Sequence, residues 1–265
     1  MSDTAAISRI SAGLILAIAI AGVAHLRGSL SRSGAIAAVS VAAACLLAGW
    51  SWAILLVAFF ITSTALSSYG QVRKRSVTGD VVEKGGDRDA MQVLANGGVY
   101  ATLAIAYAGL PQPWIKAAAA AALAASTADT WATEIGTLSR HSPRDILSFR
   151  PVAPGTSGGV TLAGTLASLG GAGFIAVVVL ILGWPQSAAF GALSGGFAGA
   201  LADSILGSRA QEKMWCPQCE RGTERAIHSC GTITDRAGGI PGIGNDMVNF
   251  FSSIIGAIVG SICSF

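Results

Sequence analysis

Long apolar runs alternate with short polar stretches along the whole chain. The runs fall at about 10–26, 34–49, 51–69, 90–109, 114–135, 158–182, 186–206 and 246–264. Most approach the roughly 20 residues that a helix needs to cross the hydrocarbon core of a bilayer. The pattern therefore predicts an all-α, polytopic transmembrane helix bundle of about eight spans, forming a single integral membrane domain over residues 1–265. Segment 34–49 is short, and only Gly49-Trp50-Ser51 separates it from the next. Residues 34–69 thus form either two spans or one tilted or re-entrant unit. The stretch from Met1 to Ser8 carries no positive charge, unlike the start of a signal peptide, so the first run is expected to be a retained span.

Composition sharpens this picture. Charged residues make up 12% of the chain, against roughly 25% in a soluble domain. The 34 glycines suit a bundle in lipid, where small residues let helix backbones approach closely. The placement of charge says more than its sum. If every run crosses, loops 27–33, 70–89, 136–157 and 207–245 hold 15 of the 17 lysines and arginines, and the other side holds only Arg9 and Lys116. Cations concentrate on the cytoplasmic side of membrane proteins. Both termini are then expected outside the inner membrane and all long loops in the cytoplasm. No nucleic-acid partner is expected, and the oligomeric state stays open.

This topology brings four polar clusters to one face, where intramembrane charge is expensive and usually functional. Arg88, Gln92 and Asn96 are spaced i, i+4, i+8, one stripe on a helix. Asp129 and Glu134 close the alanine-rich run; five residues apart, they are separated by roughly 140° on an ideal helix. Either the helix unwinds towards Gly136 and both face one site, or one of them points elsewhere. Gly155, Thr156, Ser157, Gly158 and Gly159 are read as opening the sixth span, with Arg144 and Arg150 upstream. Free amides at a helix start bind phosphate well. Asp203 ends the seventh run, and Asn245, Asp246 and Asn249 begin the last. Asp129, Asp203 and Asp246 are oxygen donors suited to magnesium shared with substrate phosphates. Walker-type and kinase-type glycine loops are absent.

In loop 207–245, Cys216-Pro217-Gln218-Cys219 and His228-Ser229-Cys230 supply four potential zinc ligands, as in a small zinc knuckle. Reduced, unliganded cysteines are the alternative. Cys45 and Cys263 lie in apolar runs and read as packing residues.

Four ordered motifs carry a family resemblance: Arg88-Asp89-Ala90-x-Gln92-Val93-x-Ala95-Asn96-Gly97-Gly98, Ala128-Asp129-Thr130-Trp131-Ala132-x-Glu134-Ile135-Gly136, Gly155-Thr156-x-Gly158-Gly159-Val160 and Asn245-Asp246-x-Val248-Asn249-Phe250. The chain resembles the polytopic membrane family that contains plant phytyl-phosphate kinase. The resemblance implies transfer of a phosphoryl group from CTP or ATP to a membrane isoprenyl monophosphate, such as phytyl or geranylgeranyl phosphate, giving the diphosphate. Asp129, Glu134, Asp203 and Asp246 are then expected at the reacting centre. The other residues of the clusters would bind lipid phosphate and nucleotide. A weaker similarity of Asp129-x-Trp131-Ala132 to CTP-using dolichol kinases and CDP-diacylglycerol synthases keeps CDP-lipid-type nucleotidyl transfer open. A transporter is the competing class, but the polar residues gather at one face rather than at mid-membrane.

Overall fold

The computed structural model describes residues 3–83 and 86–263; Lys84, counted above among the loop cations, lies outside them. Its long helices are α1 (Asp3–Leu26), α2 (Arg32–Ala48), α3 (Trp50–Ser68), α5 (Ala90–Gly109), α6 (Pro113–Gly136), α7 (Leu162–Ile181), α8 (Gln186–Arg209) and α9 (Asn245–Ile262), with a short α4 (Gln71–Thr78) between α3 and α5. Each predicted apolar run becomes one helix. Residues 34–69 are two helices, broken where Gly49 takes φ +129°, a backbone conformation that residues with a side chain rarely adopt.

Among the described residues, five helices are long and apolar enough to cross a bilayer: the Ser8–Leu26 part of α1, and α3, α7, α8 and α9. α2 is shorter, and α5 and α6 are less apolar. The packing explains α6. Every residue from Ala117 to Ala128 is buried, because α3, α5, α7, α8 and α9 all pack on this helix. A helix sheathed by protein has no lipid to satisfy, so alanine serves it better than leucine: small side chains admit close neighbours. The neighbours use glycine for the same purpose. A Cβ on Gly191 would meet Gly260 O at 2.9 Å, and one on Gly256 would meet Ala125 Cβ at 2.9 Å. Backbones of α6, α8 and α9 therefore touch almost directly, and dispersion between them holds the centre together.

At one end of the bundle, Trp52 packs on Tyr100, Tyr107 and Trp184 at centroid distances of 5.3, 5.2 and 4.8 Å. Lys116 Nζ caps the cluster, 5.2 Å from the Tyr107 ring and 5.3 Å from Trp184. Trp184 is buried in this plug, while Trp50 and Trp114 are exposed.

The opposite end is polar. The C-terminal ends of α3, α6 and α8 and the N-terminal ends of α5 and α9 line one cavity there, so these helices alternate in direction. The connections at this end are not purely helical, a departure from the all-α expectation. β1 (Arg144–Asp145) pairs antiparallel with β2 (Gly159–Val160). β3 (Lys213–Cys216) sits between β4 (Arg221–Thr223) and β5 (Asp235–Gly238) in a small antiparallel sheet. The sixth apolar run consequently starts its helix later than expected. Gly158–Val160 are loop and strand, and α7 begins at Leu162 with Thr161 Oγ1 accepting from Gly164 N at 3.0 Å.

Candidate functional site

The cavity at the polar end measures about 990 Å³. Members of all four predicted clusters reach its wall: Arg88, Gln92 and Asn96; Asp129 and Glu134; Asp203; and Asn245, Asp246 and Asn249, joined there by Gly155–Gly159. Arg150 does not. It is exposed on the β1–β2 connection, where its carbonyl accepts from Asp145 N at 2.9 Å.

One wall is acidic. α6 and α8 bring the Asp129 and Asp203 carboxyl groups next to each other, with the buried Ser252 of α9 beside Asp203. Two ionised carboxylates this close repel, so the pair needs a proton or a cation between them. Asp203 Oδ2 and Asn249 Oδ1 are buried without a hydrogen-bond partner. Unsatisfied buried oxygens are costly, and oxygens directed at a shared space are what a hard cation uses. Asp246 lines the same cavity, but the three aspartates do not close into one tight cluster. Among the described residues, the group of metal-ligand side chains that converges within 4.8 Å is the cysteine–histidine group. An aspartate pair still fits magnesium, which takes one or two carboxylates and completes its shell with waters and phosphates.

The other wall is basic; sequence reading named Arg88 and Glu134 in it but missed Lys74. α6 stays helical through Gly136, so Glu134 projects to a different side from Asp129, towards α3 and α4. There Lys74 Nζ donates to Glu134 Oε2 at 2.6 Å and to Leu66 O at 2.6 Å. Ser67 Oγ donates to Glu134 Oε1 at 2.5 Å. Arg88 precedes α5 rather than continuing it, so of the predicted stripe only Gln92 and Asn96 lie on the helix. Its guanidinium reaches Ser67 Oγ at 3.1 Å and Thr64 Oγ1 at 3.4 Å. Gln92 is spent on a capping box: Gln92 N donates to Asp89 Oδ1 at 2.9 Å, and Asp89 N to Gln92 Oε1 at 3.0 Å. Asn96 Nδ2 donates to Gln92 O at 2.9 Å.

The glycine segment forms the rim. It does not present a helix start, so the anion site expected from free helical amides is not built that way. Gly158, at φ +83°, lies against α8, where a Cβ would come 2.5 Å from Ser208 Cβ. Ser208 Oγ in turn donates to Asp145 Oδ2 at 2.5 Å. That bond, with the Ser148 amide, holds the Asp145 carboxyl down at about 2. Ser157 Oγ donates to Glu224, a carboxyl that burial pushes up against the opposing effect of Ser157.

Glu224 belongs to the cysteine loop, which docks on the chain after α4. Glu224 N donates to Val81 O at 2.8 Å, Arg225 Nε to Val82 O at 2.9 Å, and Thr223 Oγ1 to Asp80 O at 2.8 Å. At its tip, one donor atom from each of Cys216, Cys219, His228 and Cys230 lies within 4.8 Å of the others. Cys216 Sγ and Cys230 Sγ are 3.7 Å apart, close to the edge of about 3.8 Å that a tetrahedron with Zn–S near 2.3 Å requires. The Thr232 hydroxyl and the His228 ring hold the Cys230 thiol down at about 6, while the neighbouring Cys230 thiol pushes Cys219 up to about 11.

Comparison with known proteins agrees with the architecture. A family described as "Integral membrane protein DUF92" matches residues 15–257. Protein PGR of Arabidopsis thaliana is 32% identical, over 97% of this chain and 96% of its own length. A membrane protein of Methanocaldococcus jannaschii, named as uncharacterised, is 31% identical over 80% of this chain and 76% of its own. No solved structure matches.

Proposed function

The chain belongs to the DUF92 integral membrane family, and from that premise we propose that it transfers the γ-phosphoryl group of CTP or ATP to a membrane isoprenyl monophosphate. The polar end then faces the cytoplasm, by the 15-to-2 division of cations, and the eight long helices each span the inner membrane. The single observation that carries the reading is the Asp129–Asp203 pair facing a cavity whose other wall holds Arg88.

Phosphoryl transfer asks a protein for positioning and charge neutralisation more than for covalent chemistry. Asp129 and Asp203 would hold magnesium, with Asn249 and Asp246 bordering the same space. When bound, the ion neutralises charge on the donor phosphates. The acceptor is a phosphate monoester dianion, already a nucleophile, so no side chain has to remove a proton. An acceptor oxygen bonds to the γ-phosphorus as the bond to the β–γ bridging oxygen breaks, and the nucleoside diphosphate leaves with that electron pair. The cavity lies at the bundle end, where a lipid phosphate meets an aqueous nucleotide. The aromatic plug closes the far end, which counts against a transport path. The cysteine loop would hold a structural zinc, since four protein ligands leave no open position.

Purified protein with magnesium, an isoprenyl phosphate panel and either γ- or α-labelled nucleotide tests this. Label from the γ position should enter the lipid. Label entering from the α position instead would mark a CDP-lipid-type nucleotidyltransferase, and no lipid labelling from either would reject both.

A further inference from the structure

Lys74 stands in an Arg-Lys-Arg run, yet it is only 8% exposed. α4 folds it back under the bundle end, where it joins Glu134 and Leu66 O, each at 2.6 Å. Arg88 lies beside it through Ser67. The group holds two cations and one carboxylate. Among the described residues Arg88 makes no salt bridge, and its guanidinium rests on the hydroxyls of Thr64 and Ser67. Glu134, bridged to Arg88 through Ser67, is the one carboxylate shared by both cations, and the net positive charge left over is costly to bury unless an anion joins it. The cavity is thus polarised. A metal-bound triphosphate suits the aspartate wall; a bare dianion is repelled there and attracted to the cations.

We propose that Lys74 and Arg88 form the binding site for the acceptor's phosphate monoester, with Glu134 and Ser67 positioning residues that aim the two cations rather than groups acting on the reacting atoms. Ser67 spends its proton on Glu134 Oε1 and accepts from Arg88 at 3.1 Å, so it fixes the guanidinium, whose remaining N–H groups and the third N–H of Lys74 are donors that one phosphate can accept together; the planar fork of arginine matches phosphate geometry. This assignment rests on the phosphoryl-transfer reading, but its test does not need turnover.

Binding is measured without nucleotide, using geranylgeranyl monophosphate and, separately, inorganic phosphate, on the full-length protein in detergent. Lys74→Met and Arg88→Met should each weaken binding of the lipid phosphate about 10–100-fold, the scale of one charge-assisted hydrogen bond. Lys74→Arg should restore most of the loss, and Asp203→Asn should leave binding unchanged or tighter. In turnover, Glu134→Gln should raise the acceptor KM while leaving the nucleotide KM alone, a split that a merely structural role would not give. Inorganic phosphate that competes through the same two cations identifies the headgroup as the determinant. Competition lost only with the lipid assigns part of the affinity to the tail, with the cations still required. Lys74→Met and Arg88→Met proteins that bind like wild type overturn the proposal even if the wild type transfers phosphate. Binding through both cations without any transfer leaves this site standing and rejects the proposed reaction.

Discussion

Replacing Gly195 with alanine puts a methyl group where three helices meet. The new Cβ would lie 2.7 Å from Ala121 Cβ, 2.9 Å from Gly260 N and closer still to the Gly256 carbonyl oxygen. Two of these are backbone atoms that cannot rotate away, so α8 and α9 must separate along their contact. Overpacking of this kind costs about 1–3 kcal/mol, and a backbone obstacle belongs at the upper end. Glycine to alanine inside a helix returns up to about 1 kcal/mol of propensity, leaving a net loss of about 2 kcal/mol. For a chain of this length that lowers the melting temperature by roughly 4–8 °C. Gly173→Ala is the control, because its Cβ meets nothing within 4 Å, and it should melt at or slightly above wild type. Thermal unfolding in detergent, followed by circular dichroism, compares the two. A Gly195→Ala protein as stable as the Gly173→Ala control would refute the close packing of α6, α8 and α9.

Other consequences are equally open to measurement. Elemental analysis should find about one zinc per chain, lost in Cys216→Ser with Cys219→Ser, since structural sites are four-coordinate; metal-free protein with full activity would contradict this. Cysteines placed at Ser76 and Ser142 should resist an impermeant thiol reagent in intact cells, read peptide by peptide; labelling at both would reverse the proposed orientation. The Asp145 carboxyl sits at about 2, below its ordinary 3.8. The stability it contributes is therefore complete above pH 3.8 and is lost as pH falls through about 2. Pepsin cleavage around residues 142–160 should rise over that window in wild type, whereas Asp145→Asn should be cleaved more readily already at pH 4 and show no such step.

What was legible in the sequence follows from what each signal measures. Apolar runs report burial in lipid or protein, and each of the eight became a helix, with 114–135 appearing as Pro113–Gly136. Hydropathy does not see strand pairing, so Gly158–Val160 read as the start of a span, although Gly159 and Val160 pair with Asp145 and Arg144. The cysteine–histidine group was legible because ligand spacing is local. Asp129 and Asp203 were found because a carboxylate in an apolar run stands out. Lys74 was not, because three consecutive cations look like a solvated loop. Its burial depends on a carboxylate 60 residues away, and nothing local encodes that partner. Likewise, the geometry of Asp129 against Glu134 turned on whether α6 unwinds. It does not, so the two serve opposite walls.

The central claim is that the aspartate wall of this cavity drives phosphoryl transfer, and one comparison tests it most directly. Wild type and Asp203→Asn, matched for folding by their melting curves, are given magnesium, nucleoside triphosphate and geranylgeranyl monophosphate, and the lipid diphosphate is followed by phosphorus NMR. The account predicts that wild type forms the diphosphate and that Asp203→Asn does so about 10²–10³-fold more slowly, the scale of removing one preorganised electrostatic group from a reacting centre. Equal rates in the two proteins would contradict it, because the Asp129–Asp203 pair would then have no part in the chemistry.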